Sequence, residues 1–255
     1  MIFNQKIKVP LSNLYNADTE DSNLETQCLF GEEVIVIEEK GAWSKVKCKL
    51  DDYVGWLKKS NLSDNTSTSH IIIDKSIIVY KEPNLKSKKL FDLFCGSKVN
   101  LKIYNKEWYE MINSNNEVFY ISKNNLIIQK DKIYSNWLKL AYNFLGSPYH
   151  LGGKSVLGID CSGLVQLILM ISGILIPRNS NDQSKFECKY LLDTNKVTKG
   201  CLIFWKGHVS LSISNDKIIH SNAHHMKVEI ESLDEACLRI KKKYGDITKI
   251  KKIRF

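Results

Sequence analysis

Nowhere in the 255 residues do 18 apolar residues run together, so no membrane-spanning helix is expected. Met1 to Pro10 lacks a basic end followed by an apolar run and a small-residue cleavage site, which argues against a secretory leader. No two cysteines stand at C-x-x-C spacing, so a zinc finger or ribbon is not expected. The seven cysteines, Cys28, Cys48, Cys95, Cys161, Cys188, Cys201 and Cys237, are odd in number. A disulfide framework does not fit them, and a reducing cytoplasm does. No nucleic-acid-binding motif accompanies the net charge of +9, so nucleic acid is not an expected partner.

What is present is the composition of a folded protein, with 10% aromatic residues arguing against disorder. The length suggests more than one domain. Two-thirds of the excess positive charge lies in the last sixteen residues, where seven Lys or Arg stand against one acid. Ile247 to Arg254 partly alternates apolar and basic residues, which predicts a terminal strand with one solvated face.

The first half is strand-like. Val34 to Ile37, Trp43 to Cys48 and Tyr53 to Leu57 are short runs of β-branched and aromatic residues between turns, as in a small barrel. Ile77 to Tyr80, Lys98 to Tyr104, Trp108 to Ile112 and Val118 to Ile121 repeat the plan. Gly31-x-x-Val34 aligns with Gly96-x-x-Val99, and Trp43-x-x-Val46 with Trp108-x-x-Met111, both at an offset of 65. A constant offset argues for an internal repeat. Ser63 to Ser69 is a polar linker between the copies.

The character changes at about Asp131. Ile133, Trp137, Leu140, Ala141, Phe144 and Leu145 have helical spacing that ends at Gly146. Cys161 to Ile171 is apolar on nearly every side, the mark of a buried helix, with Asp160 as N-cap and Gly173 as stop. Cys201 to Trp205, His208 to Ile213 and Lys217 to His220 are strand-like.

Cys161 therefore opens a buried helix, where unpaired N–H groups and the helix dipole favour an anion such as a thiolate, the strong nucleophile. Read alone, it is more commonly a packed core cysteine. Ser214-Asn215-Asp216 is a candidate hairpin turn. A three-residue loop pairs Ile213 with Lys217 and puts His208 and His220 diagonally on one face, whereas a two-residue loop puts them on opposite faces. A cysteine at a helix start beside a histidine on a sheet makes a nucleophile–base pair, and His220 would be the third group that fixes the tautomer of His208. His224 and His225 have no carboxylate or cysteine at ligand spacing, so no metal site is expected.

These motifs, taken in order, resemble NlpC-type cysteine peptidases. They are Gly146-Ser147-Pro148-Tyr149, Gly152-Gly153, Gly158-Ile159-Asp160-Cys161-Ser162-Gly163, Pro177-Arg178-Asn179-Ser180-x-x-Gln183, Gly200-x-Leu202 through His208-Val209, and Ile219-His220-Ser221. The expected fold class is α+β, a papain-like catalytic domain behind two small SH3-like β-barrels. Trp43-x-x-Val46 and Gly55-Trp56-Leu57 resemble a bacterial SH3-like core, and Val118-Phe119-Tyr120 replaces the Gly-Trp pair in the degenerate second copy. The expected domains are 1–63, 70–129 and 131–255. Cys201 and Leu151 depart from the family pattern, where Asp and Trp are usual.

The resemblance implies Cys161, His208 and His220 as catalytic triad, and Tyr149 with the Cys161 backbone N–H as oxyanion site. The whole combination resembles murein-recycling γ-D-glutamyl-L-diamino acid endopeptidases. That resemblance implies Tyr53, Asp160, Ser162 and Ser180 as contacts to a murein peptide with a free N-terminal L-Ala, with no cofactor. Two alternatives stay open at this stage: an amidase or acyltransferase on the same fold, and an inactive wall-peptide-binding protein.

Overall fold

The computed structural model describes residues 3–64, 67–125 and 127–254. By contact, the chain forms two compact units, Met1–Ile133 with Lys154–Val156, and Tyr134–Gly153 with Leu157–Phe255.

In the first unit, seven antiparallel strands from Phe3–Ile7 to Leu62–Asp64 make one sheet. Along Trp43–Cys48 every second residue is buried, the period-2 alternation of a sheet with one face inward. The buried side meets Ile7, Leu14, Val34, Val36 and Leu57 in a closed apolar cluster. The second copy has its own cluster around Ile72, Val79, Leu93, Val99 and Met111. It is built from a five-stranded and a three-stranded sheet.

The expected strand Lys98 to Tyr104 is divided. Lys98–Val99 pairs with His70–Ile71, whereas Leu101–Ile103 pairs with Tyr109–Met111 in the other sheet. A small barrel turns its corners with strands that switch sheets in this way. In the linker between the copies, Asn65 and Thr66 lie outside the described residues.

The repeat is visible in the side chains. Tyr15 meets Trp43 edge-on at 5.8 Å, and Tyr80 meets Trp108 edge-on at 5.5 Å, two residue pairs at the offset of 65. Gly31 and Gly96 both have positive φ, +76° and +92°. At Gly31 a Cβ would also fall 2.0 Å from the Lys98 carbonyl oxygen, so only glycine lets the two copies approach there.

The second unit centres on α2 (Cys161–Ile171), buried at every residue. The Asp160 side chain accepts the Gly163 N–H to cap it, and Gly173 ends it at φ +81°. α1 (Trp137–Asn143) and the short α3 (Ser180–Lys185) lie either side of it in sequence. The six sheet strands are β1 (Leu191–Asp193), β2 (Cys201–Trp205), β3 (His208–Ser212), β4 (Lys217–Asn222), β5 (Lys227–Ser232) and β6 (Lys249–Ile253). They are ordered β1-β6-β2-β3-β4-β5, with every pairing antiparallel. α4 (Leu233–Tyr244) connects β5 to β6.

The expected C-terminal strand is present as β6, but the solvated face expected for it needs correction. Ile240 to Tyr244 completes α4, and β6 sits inside the sheet between β1 and β2. Lys251, expected on a solvated face, is fully buried. Its ammonium donates to the Phe186 carbonyl at 2.5 Å and lies 3.7 Å from Asp193 Oδ1. A lysine buried inside a sheet needs internal partners for its charge.

Candidate active site

The start of α2 is held by one buried ion pair. Arg178 reaches Asp160 through two nitrogens, Nη1 to Oδ1 at 2.9 Å and Nη2 to Oδ2 at 2.8 Å. Both side chains are almost wholly buried. Asp160 also accepts from the N–H groups of Gly152 and Gly163 and from the Ser162 hydroxyl. A carboxylate offers about four lone-pair sites, so Asp160 is saturated within the protein. The family resemblance implies a substrate contact for Asp160; in the structure its carboxylate holds Arg178. Gly163 must stay small, because a Cβ there would lie 2.7 Å from the Gly153 carbonyl oxygen and 3.1 Å from Asp160 Oδ1.

Cys161 follows that cap and opens on a cleft of about 370 Å³ that Tyr149, His208, Lys206, Arg239 and Lys243 also line. The backbone N–H groups of Val209 and Ser162 lie near enough to favour its thiolate. Val209 is the β3 residue next to His208. β3 and β4 pair Leu211 with Ile219 and Ser212 with Ile218, and Ile213 N–H bonds to the Lys217 carbonyl. The connection is therefore the three-residue loop 214–216, and the two histidines share a face. His208 Nε2 lies 2.8 Å from His220 Nδ1.

Beyond them stands a residue that the sequence reading missed. Glu231 Oε1, on β5, lies 2.5 Å from His220 Nε2 and also accepts from Arg239 Nη2 on α4. A carboxylate accepts only, so His220 Nε2 carries the proton and His220 Nδ1 the lone pair. His208 then donates from Nε2 and keeps its Nδ1 lone pair, the state of a base. The turn between β4 and β5 decides whether Glu231 comes within reach of His220, and the loop sequence leaves its length open.

The expectation that no carboxylate accompanies the loop histidines is also corrected. His220, His225 and Glu231 bring three ligand-type atoms within 4.8 Å. Glu231 also accepts from His220 and Arg239.

Burial pushes the Cys161 thiol up to about 12, the Asp160 charge adding to it, while Arg178 and the two backbone donors oppose. Burial pushes His208 down to about 3, helped by His220 and Arg239 and opposed by Glu231. His220 is lowered too, chiefly by burial, against the pull of Glu231. The resting pair at neutral pH is thus thiol and neutral imidazole. A single charge is disfavoured in this pocket, and charges form there together.

Buried neutral histidines make stability depend on pH. Below their ordinary value of 6.5 the unfolded chain takes up protons that the fold refuses. Stability is therefore full above that value and is lost as pH falls toward 3, by up to about 1.4 kcal/mol per pH unit per such proton. Urea unfolding at pH 7, 6, 5 and 4 should show this decline, and a His208→Phe variant should show a shallower one. Equal slopes in the two proteins would contradict the assignment.

The other expected residues are placed as follows. Tyr149 is half-buried at the cleft, its phenol raised by burial and by the nearness of Cys161. Ser162 Oγ accepts from Arg178 Nη1 at 2.9 Å. Ser180 is the first, half-buried residue of α3. Tyr53, in the first unit, packs against the barrel core and donates its hydroxyl to Glu25 Oε2 at 2.6 Å. Of the two departures, Cys201 is buried at the start of β2, where its N–H donates to Ser212 Oγ at 2.7 Å. Leu151 is 69% exposed.

A thiol at the start of a buried helix, two coupled imidazoles on the facing sheet and SH3-like barrels ahead of them define a cysteine peptidase of papain-like fold. Residues 146–244 match the NlpC/P60 family, and residues 14–62 match the bacterial dipeptidyl-peptidase SH3 domain. A γ-D-glutamyl-L-lysine dipeptidyl-peptidase of Bacillus cereus is 31% identical over 249 residues, 85% of this chain and 72% of that protein. Dipeptidyl-peptidase 6 of Lysinibacillus sphaericus is 27% identical over 245 residues, 88% of this chain and 90% of that protein. The crystal structure of an NlpC/P60 family protein from Bacillus cereus superposes with a TM-score of 0.82 at 24% identity, over 96% of this chain and 98% of that one. The chain belongs to the NlpC/P60 family. No helix among the described residues is long and apolar enough to cross a membrane.

Proposed function

We propose that this protein cleaves the bond between γ-D-glutamate and the diamino acid in murein peptides with a free N-terminal L-Ala. The names of two relatives, γ-D-glutamyl-L-lysine dipeptidyl-peptidases, support this substrate class. The observation that carries the reading is a single cleft holding Cys161 and His208, with His208 in turn hydrogen-bonded to His220. In this proposal the chain comprises domains 1–63, 70–129 and 131–255, works in the cytoplasm on recycled or turned-over murein peptides, and uses no cofactor.

The thiol of Cys161 loses its proton to His208 Nδ1 as sulfur attacks the γ-glutamyl carbonyl. The Cys161 N–H and the Tyr149 hydroxyl hold the oxyanion, at about 3–4 kcal/mol per well-placed donor. His208 returns its proton to the leaving amine, and water attacks the acyl-enzyme with His208 again as base. Lys206, Arg239 and Lys243 line the cleft, and no carboxylate stands among its described lining residues. Such a surface suits a peptide rich in carboxylates. Ser162 and Ser180 are assigned to the substrate's N-terminal half, where Asp160 acts as an anchor through Arg178. The assignment of Tyr53 as a further contact rests on the family resemblance.

Mass spectrometry of digests of L-Ala-γ-D-Glu-diaminopimelate, with free and with acetylated N-termini, tests the reading. Release of L-Ala-γ-D-Glu from the free peptide alone is expected. Equal cleavage of both would remove the requirement for a free N-terminus.

A further inference from the structure

We propose that Glu231 and Arg239 are positioning residues for the two histidines, a carboxylate–guanidinium pair that sets the proton order along His220 and His208. The inference rests on the functional reading above and extends the machinery by two residues from β5 and α4.

Two imidazoles in series have two consistent proton orders. In one, His208 donates from Nε2 and keeps a lone pair on Nδ1. In the other, His220 donates from Nδ1, His208 accepts at Nε2, and its Nδ1 carries a proton. Only the first order leaves a base for the thiol. The two orders differ at the far end of the relay, where His220 Nε2 either donates or accepts. Glu231 lies 2.5 Å from that nitrogen, and an ionised carboxylate is an acceptor only. It therefore selects the competent order.

Arg239 bonds the same carboxylate oxygen, which keeps the carboxylate ionised and aims it. Both side chains are largely enclosed, 11% and 27% exposed, so solvent does little to screen them. When His208 takes the thiol proton, Glu231 is the anion that steadies the new charge, and Arg239 opposes it. The groups facing this relay are Cys161 on α2, with Asp160 and Arg178 behind it, His225 in the β4–β5 turn, Glu231 on β5 and Arg239 on α4. Lys206 and Lys243 line the same cleft. A purely structural brace between β5 and α4 is the bland alternative, and it predicts effects on stability alone.

The full-length protein and its Glu231→Gln, Arg239→Gln and Arg239→Lys variants are compared in two ways. Histidine ring ¹⁵N NMR reads the tautomers without any substrate. The native protein should show protonated Nε2 and unprotonated Nδ1 on both rings, and Glu231→Gln should mix in the second order. Steady-state hydrolysis of the tripeptide should show kcat lowered about 10- to 100-fold in Glu231→Gln, with KM changed less than about 2-fold.

The acid limb of the kcat/KM profile should move to lower pH in Glu231→Gln, where an anion is lost. It should move to higher pH in Arg239→Gln, where a cation is lost, and return toward native in Arg239→Lys. Opposite shifts are beyond a brace. Native tautomers in both Gln variants, or pH profiles unmoved while only the melting temperature falls, would overturn the proposal. Should the native protein cleave no murein peptide, the functional reading fails, and the tautomer spectra still decide this one.

Discussion

Replacing Cys161 with alanine is expected to lower kcat/KM on L-Ala-γ-D-Glu-diaminopimelate by at least ~10⁴-fold, with the fold retained. Loss of the nucleophile from a unit of this kind costs about that much or more in comparable enzymes, and what survives comes from binding and oxyanion contacts. The described residues lining the cleft include no other thiol and no aliphatic hydroxyl, so no neighbour is placed to substitute. Cysteine to alanine removes one atom from a buried site, and the small void left by the sulfur should cost little beside the loss of chemistry. Circular dichroism and a melting curve confirm folding, and hydrolysis is followed by release of the free amine. A variant retaining more than about a hundredth of native activity would remove Cys161 from the reaction. A binding protein with a silent peptidase half predicts the opposite, since neither protein would then cleave.

Replacing Arg178 with alanine should destabilise the second unit by about 3–5 kcal/mol, the usual cost of leaving one partner of a buried ion pair alone. Asp160 would keep its charge without its bidentate cation, at the point where the helix begins. Because the same carboxylate caps Gly163 and holds Ser162, the loss should also loosen the backbone that presents Cys161. Urea denaturation gives the stability, and substrate hydrolysis at a temperature where the variant stays folded gives the activity. The double variant Asp160→Asn, Arg178→Met should recover part of the stability, because it removes both charges together. A single-variant change below about 1 kcal/mol would mean that the pair is solvated in solution.

The sequence showed the chemistry before the geometry. Asp160 and Gly173 bracket an apolar run, so α2 was legible with both ends, and with it the place of Cys161. Ser214-Asn215-Asp216 marked a turn between two β-rich runs but allowed two loop lengths. Only the paired register, Ser212 opposite Ile218, shows that His208 and His220 share a face. Lys251 misled for a related reason: alternation of basic and apolar residues reads as a half-solvated strand, whereas β6 lies inside the sheet with Lys251 buried, a topology that the pattern does not encode.

Local order along the chain determined the repeat of 65, the buried helix, its cap and the run of motifs that carry the family resemblance. Each of these depends on neighbours within a few residues or on a constant offset. The tertiary structure alone decided that Arg178 is the cation for Asp160, and that Glu231 and Arg239 stand behind His220. These contacts join residues 8 to 18 positions apart across separate elements. An ionised side chain accepts any partner of opposite sign that the fold delivers. Which partner arrives is settled by loop length and packing, and neither is written in the residues that finally meet.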